Sequence, residues 1–170
     1  NPHSFLKVDR AETSFDESVD TYDARVYQKA KELLDEMINK GEYIKDDEPK
    51  YYLYELIMDN RSQTGIVACA SIDDYTDGII KKHENTRADK EIDRIRHVDT
   101  CNAQTGPIFL AYRSEKAIDD IVSTIKTNEP EYSFVSDDGI SHNVWVVNES
   151  SDIEIIRNSF NQMNQIYIAD

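Results

Sequence analysis

The sequence predicts a single α+β domain over residues 1–170, and three observations carry the prediction. Two pairs of aromatic and β-branched runs look like hairpins, stretches of helical period separate them, and the order of elements is irregular. That order is helix, two strands, helix, strand, helix, two strands, helix, strand, which disfavours a regular doubly wound α/β sheet. The expected architecture is a mixed, largely antiparallel sheet of about five to six strands with about four helices.

From Tyr22 to Lys40, the residues Val26, Ala30, Leu33, Leu34, Met37 and Ile38 recur at helical spacing. Ser18 or Asp20 can cap the start and Gly41 can end the helix. "YYLYELIM" and "GIVACASI" read as antiparallel strands joined by the polar loop "DNRSQT". "DDYTDG" is turn chemistry, with Gly78 available for a positive φ. From about Arg87 to Thr100, Ala88, Ile92, Ile95 and Val98 make one stripe, with Thr86 as cap and Lys90, Arg94 and His97 off the stripe. "GPIFLAYR" reads as a buried strand. Ala117 to Ile125 forms another amphipathic helix, with Ser114 as its N-cap. "YSFV" and "HNVWVV" form the second hairpin, turning at Asp138-Gly139. A helix from Ser151 to about Gln162 and a last strand "QIYIA" close the chain.

With 34 acidic against 19 basic residues, the net charge is −15, which opposes binding to DNA, RNA or anionic membranes. No run approaches the roughly 18 apolar residues of a spanning helix, and the start lacks a signal-peptide pattern. The expectation is a soluble, cytoplasmic protein with Cys69 and Cys101 as free thiols. The first residues, Asn-Pro, and the abrupt end at "IYIAD" are expected of a fragment of a longer chain.

Several standard sites are excluded by spacing. Gly41, Gly65, Gly78, Gly106 and Gly139 are too scattered for a P-loop or a dinucleotide loop. His83-Glu84 lacks the second histidine of a zinc helix, and His3, His97 and His142 have no paired ligand spacing. "SDDG" lacks the ligand alternation of a calcium loop.

The stretch "IIKKHENTRADKEIDR", residues 79–94, differs from all of these. His83 can exchange a proton near neutral pH, Glu84 can act as a base or orient an imidazole, and Lys82 and Arg87 can donate to phosphate or carboxylate. Across residues 81–97, six Lys or Arg stand against four acids, so this segment is +2 while the rest of the chain carries −17. Such a segment, leading into a helix N-terminus, suits a small anion. By residue type alone, the competing reading is a solvated loop followed by the polar face of a helix. His142, beside Asp137 and Asp138 in sequence, is a second-rank candidate.

The stretches "NPHSFL", "YYLYEL", "TGIVACASIDDY", "GIIKKHENT", "EIDR", "GPIFLAY", "HNVWVV" and "YIAD" resemble, in order, the bacterial and archaeal DUF1015 family, whose members are often labelled ParB-like. Members of that family continue after "YIAD" with Gly-His-His-Arg, similar to the phosphate-binding motif of nucleotide-hydrolysing partition proteins, sulfiredoxin and a free-serine kinase. Here the sequence stops at Asp170, so that element has no counterpart in it. The resemblance implies functional roles for Lys82, His83, Glu84, Thr86, Asp93 and Arg94. The expected division of labour has Lys82, Thr86, Arg87 and Arg94 on the ligand and a proton exchanged by His83 or Glu84. Asp93 with Arg94 would form a supporting ion pair, with His142 and Asp170 also in support. The expected ligand is a nucleotide or phosphorylated small metabolite, with Mg²⁺ if it is a nucleotide and Glu84, Asp93 or Asp170 as its candidate ligands. The alternative expectation is a non-catalytic regulatory domain with a protein partner, its acidic surface meeting a basic one.

Overall fold

The structure, a computed structural model, describes residues 3–82 and 87–169. Its class is α+β, as predicted. Helices and strands interleave irregularly along the chain, and the described strands form two sheets where one was expected. The described residues group into two compact units, one from residues 3–45 and 87–109, the other from Asp46–Lys82 and Leu110–Ala169.

The first unit is helical. A short helix α1 (Leu6–Asp9) and a 3-10 turn at Ala11–Ser14 precede α2 (Ala24–Asn39). The N-cap of α2 is Asp23, whose Oδ1 accepts the Arg25 N–H at 2.9 Å, so the helix starts later than the expected caps. Asp20 and Asp16 instead close local turns on Tyr22 N–H and Ser18 N–H, spending their carboxylates before the helix begins. Gly41 ends α2 as predicted. At φ +72° its N–H reaches Ile38 O while Glu42 N–H reaches back to Met37 O, the paired bonds that satisfy the last carbonyls. Helix α2 buries Val26, Ala30, Leu34 and Met37 against Val8, Ala11 and Cys101. Cys101 comes from the helix of residues 88–101, which is described with the site below.

The second unit carries both sheets. In the larger, β1 (Tyr51–Met58), β2 (Arg61–Val67), β5 (Tyr132–Val135) and β6 (Ser141–Val147) are all antiparallel in the order β2-β1-β6-β5. In the smaller, β3 (Ile80–Lys81) and β4 (Leu110–Ala111) flank β7 (Ile166–Ile168), parallel and antiparallel respectively. Three sequence readings need correction here. "DNRSQT" is mostly strand: Asp59 and Asn60, at φ +50° and +63°, make the whole β1–β2 turn, because short polar side chains tolerate the left-handed conformation. Residues 68–71 of "GIVACASI" lie outside β2. "GPIFLAYR" is a strand only at Leu110–Ala111, with Ile108 and Phe109 exposed.

"DDYTDG" forms a helical turn, α3 (Ile72–Thr76), where Ser71 Oγ accepts the Asp73 N–H, and Gly78 sits at φ +74° as expected. The second hairpin turns through residues 136–140, with Gly139 at φ +82° and its N–H on Ser136 O. Helix α5 (Lys116–Ile125) starts at Glu115, one residue beyond the expected cap. Ser114 Oγ instead donates to Asp119 Oδ2. Helix α6 (Ser150–Asn161) follows β6.

One face of the larger sheet meets α5 and α6. Leu53, Trp145 and Val147 pack with Ile121 and Ile156, and the indole N–H of Trp145 donates to Asn128 O at 2.9 Å. Along β1 the same face continues to Glu55, which is 6% exposed. Burial pushes the Glu55 carboxyl up. Its bonds to Lys126 Nζ (2.6 Å), Ser62 Oγ and Asn143 Nδ2 outweigh that and hold it below the usual carboxylate range. Lys126 also donates to Thr64 Oγ1 at 3.0 Å. A carboxylate held down in this way contributes stability that is present above its unfolded pKa and is lost as pH falls through its lower folded pKa.

Substituting Lys126→Met strips Glu55 of its cation and should cost about 1–3 kcal/mol at neutral pH, since an under-satisfied buried acceptor remains. Urea denaturation at neutral pH and near pH 4 tests this. The gap between wild type and variant should narrow at the lower pH, where the variant's Glu55 can take a proton.

Candidate functional site

The described part of the predicted site is built on α4 (Ala88–Cys101), a helix of 14 residues. Its N-cap is Arg87, which makes no side-chain cap bond. The expected cap, Thr86, lies outside the described residues, as do His83, Glu84 and Asp170. Arg87, Lys90 and Arg94 are spaced i, i+3 and i+7, so they share one stripe over the first two turns. The acids interleaved with them keep this stripe from being a bare cationic patch. Arg87 forms a forked bond to Asp89 at 2.8 and 3.1 Å, in which burial raises the Asp89 carboxyl but the guanidinium holds it lower on balance. Lys90 donates to Tyr22 OH at 2.7 Å, and that bond raises its pKa.

The expected Asp93–Arg94 pair is replaced by two separate contacts. Arg94 reaches Asp9 at 3.4 Å, and Asp93 Oδ1 accepts the Tyr27 hydroxyl at 2.8 Å. Neighbours in a helix point about 100° apart, so Asp93 turns to α2 while Arg94 meets the end of α1. The Tyr27 hydroxyl is pushed up to about 12, first by burial and then by the bond to Asp93.

The face that α4 buries also departs from the expected stripe. Ile92 and Ile95 are 50% and 59% exposed, whereas His97 and Cys101 are buried. His97 Nε2 donates to Val8 O at 3.2 Å, and its Nδ1 is 3.4 Å from Thr105 Oγ1, so the imidazole is inside with both nitrogens facing partners. Asp93, His97 and Cys101 form the inward row at i, i+4 and i+8. The polar members of that row are bonded to groups far away in sequence.

The remaining candidates belong to the second unit. Lys82 follows β3 and places its amine 5.2 Å from the centre of the Tyr75 ring, a cation–π contact. His142 lies in β6 between two rings, 4.6 Å from Phe134 at 7° and 6.0 Å from Tyr54 at 23°. Its bonds select one tautomer of the neutral ring. Ser136 Oγ contacts Asp138 Oδ1, Ile140 O and His142 Nε2. The carboxylate and the carbonyl can only accept, so the hydroxyl donates to them and takes the Nε2–H. Nδ1 therefore accepts the Tyr54 hydroxyl at 2.8 Å. Both ring nitrogens are engaged, which gives His142 a bracing role between β1, β6 and the hairpin loop. The Ser136 hydroxyl and the Ile140 N–H hold the Asp138 carboxyl low.

Among the described residues, no group of three or more His, Cys, Asp or Glu is gathered as a metal site. No helix of the described residues is long and apolar enough to cross a membrane. Sequence reasoning missed the Glu55–Lys126 network and the partners of α4, because Tyr27 and Asp93 are 66 positions apart and nothing local marks the pair.

These features define an α+β protein with a braced sheet, and they do not by themselves name a reaction. The model of the family of proteins of unknown function DUF1015 matches residues 1–170, and the chain belongs to that family. No curated protein and no solved structure matches it.

Replacing Tyr27→Phe removes the donor to Asp93 and should lower stability by about 1 kcal/mol. In wild type, the raised hydroxyl contributes stability that is present below the ordinary tyrosine pKa and is lost as pH rises toward 12. Spectrophotometric titration should show late-titrating tyrosines, Tyr27 and the half-buried Tyr112 among them, with one fewer in the variant, together with alkaline unfolding that is less steep in the variant.

Proposed function

We propose that the chain binds a phosphorylated small ligand, a nucleotide or a phosphorylated metabolite, at the start of α4. The observation that supports this is an N-terminus whose N-cap, Arg87, makes no side-chain cap bond, with Arg87, Lys90 and Arg94 on one stripe beside it. First-turn N–H groups and the positive end of the helix dipole favour an anion there, and Arg87 can exchange Asp89 for phosphate oxygens without changing its fork geometry. Arg94, 65% exposed and 3.4 Å from Asp9, is available in the same way.

In this reading Thr86 adds a ligand contact and His83 or Glu84 moves the proton in phosphoryl transfer or hydrolysis. Asp93 acts indirectly by anchoring α4 to Tyr27. With a nucleotide, Mg²⁺ would be held mainly by the phosphates, with Glu84 or Asp170 as candidate ligands. A ParB-like relationship would fit this chemistry.

A second reading, a non-catalytic domain that binds a protein partner, is favoured by one observation. The outer face of the larger sheet exposes Tyr54, Met58, Tyr132 and Phe134. Direct binding of DNA is disfavoured by the charge of −15.

A thermal-shift screen with inorganic phosphate, pyrophosphate and nucleotides, with and without Mg²⁺, tests the first reading. A ligand at a hundredfold excess over its Kd should add about 2.7 kcal/mol of stability. Arg87→Ala should abolish most of the shift, and Lys116→Ala on α5 should not. No shift with any phosphate compound, or an undiminished shift in Arg87→Ala, would remove the proposal.

A further inference from the structure

The register of the larger sheet sorts its side chains by face. Tyr52, Tyr54, Leu56 and Met58 of β1 stand opposite Val146, Val144 and His142 of β6 on the side away from Leu53 and Trp145. Tyr132 and Phe134 of β5 extend the same rows. Met58 and Tyr132 are 55% and 63% exposed, so this face is open while the other is covered by α5 and α6. Its charged residue is Arg61, at the margin in β2. Acids flank the strands at both ends: Ile57 pairs with Ser141, which brings the Asp59-Asn60 turn and the loop of Asp137 and Asp138 to one edge of the face, while Glu131 precedes Tyr132 and Asp47 and Glu48 precede β1 at the other.

We propose that this outer face docks a basic amphipathic helix of a partner protein, its apolar side on the aromatic rows and its cations toward Asp59, Asp137 and Asp138. The proposal rests on the second reading above, and it specifies the surface and the chemistry of the partner. Four strands about 4.8 Å apart make a strip wide enough for a helix of about 10 Å diameter. The sheet already accepts helices on its opposite side by the same kind of contact.

The alternatives fit less well. A nucleic acid would need ring faces and cations. Phe134, His142 and Tyr54 stack on one another and so present edges, and Arg61 alone faces the backbone. A second copy would bring another net charge of −15 and the same acids, whereas a basic helix meets both the apolar rows and the acids at their ends.

The test is fluorescence anisotropy of the intact chain with a labelled synthetic helix of leucine and lysine at amphipathic spacing. One control is the same composition in scrambled order, and the other is the same helix with glutamate in place of lysine. The ordered basic helix should bind at least about tenfold tighter than either control. The double variant Met58→Glu, Tyr132→Glu should lose about tenfold or more, although added acids would strengthen a purely ionic attraction. Asp59→Asn with Asp137→Asn should weaken binding severalfold at low salt and much less at high salt. Near-UV circular dichroism from Trp145, buried on the opposite face, reports whether each variant is folded, and Met58→Gln with Tyr132→Ser replaces the glutamates if it is not.

Equal binding of the scrambled peptide overturns the proposal. Undiminished binding in the folded double variant overturns this face while leaving the interaction reading to another surface. Self-association of the chain that the double variant abolishes would assign the face to a second copy and overturn the proposed partner. Binding of none of the helices would overturn both the face and the interaction reading.

Discussion

The register of β1 against β6 is the constraint on which the second unit depends. Leu53 opposite Trp145 places both in the core beneath α5 and α6, and Glu55 opposite Asn143 places a carboxylate where Lys126 can reach it. Side chains alternate along a strand, so a slip by one residue would exchange every inward group for an outward one. An apolar criterion alone would not resist that slip, since Tyr52, Tyr54, Leu56 and Met58 are as apolar as Leu53 and Ile57. The polar anchors supply the difference: Glu55 is bonded to Lys126, Ser62 and Asn143 on one side, and Tyr54 to His142 on the other.

The same logic applies independently in the first unit. Helix α4 carries its apolar residues Ile92 and Ile95 outward and buries His97, with Asp93 half-buried beside it. Each inward polar group has a partner: Val8 O for His97 and the Tyr27 hydroxyl for Asp93. Burying a polar group costs little once its hydrogen bonds are replaced, so satisfied polar rows can compete with apolar ones for the interior.

That competition decides how much of the molecule was legible in the sequence. Where apolar period and terminal chemistry agree, as in α2 with Gly41 or in the strands of the second hairpin, the elements fall where they were expected. Where the inward groups are polar and their partners distant, periodicity points to the wrong face, as it does for α4. Local side-chain bonds also move boundaries. Asp20 is consumed by the turn at Tyr22, and Asp59-Asn60 compress a six-residue "loop" into a two-residue turn. For the candidate site, the helix start and its cations were legible, but their partners were not. Asp9, Tyr22 and Tyr27 reach α4 from the N-terminal segment, and local spacing carries no sign of them.

In α4, bonded polar groups rather than apolar period select the buried face. Methyl NMR of isoleucine-labelled protein with a soluble paramagnetic chelate tests it most directly. Ile92, Ile95 and Ile108 should broaden strongly, while Ile118 and Ile156, fully buried, stay sharp. Protection of Ile92 and Ile95 equal to that of Ile118 would contradict the account, because it would return the apolar stripe of α4 to the interior.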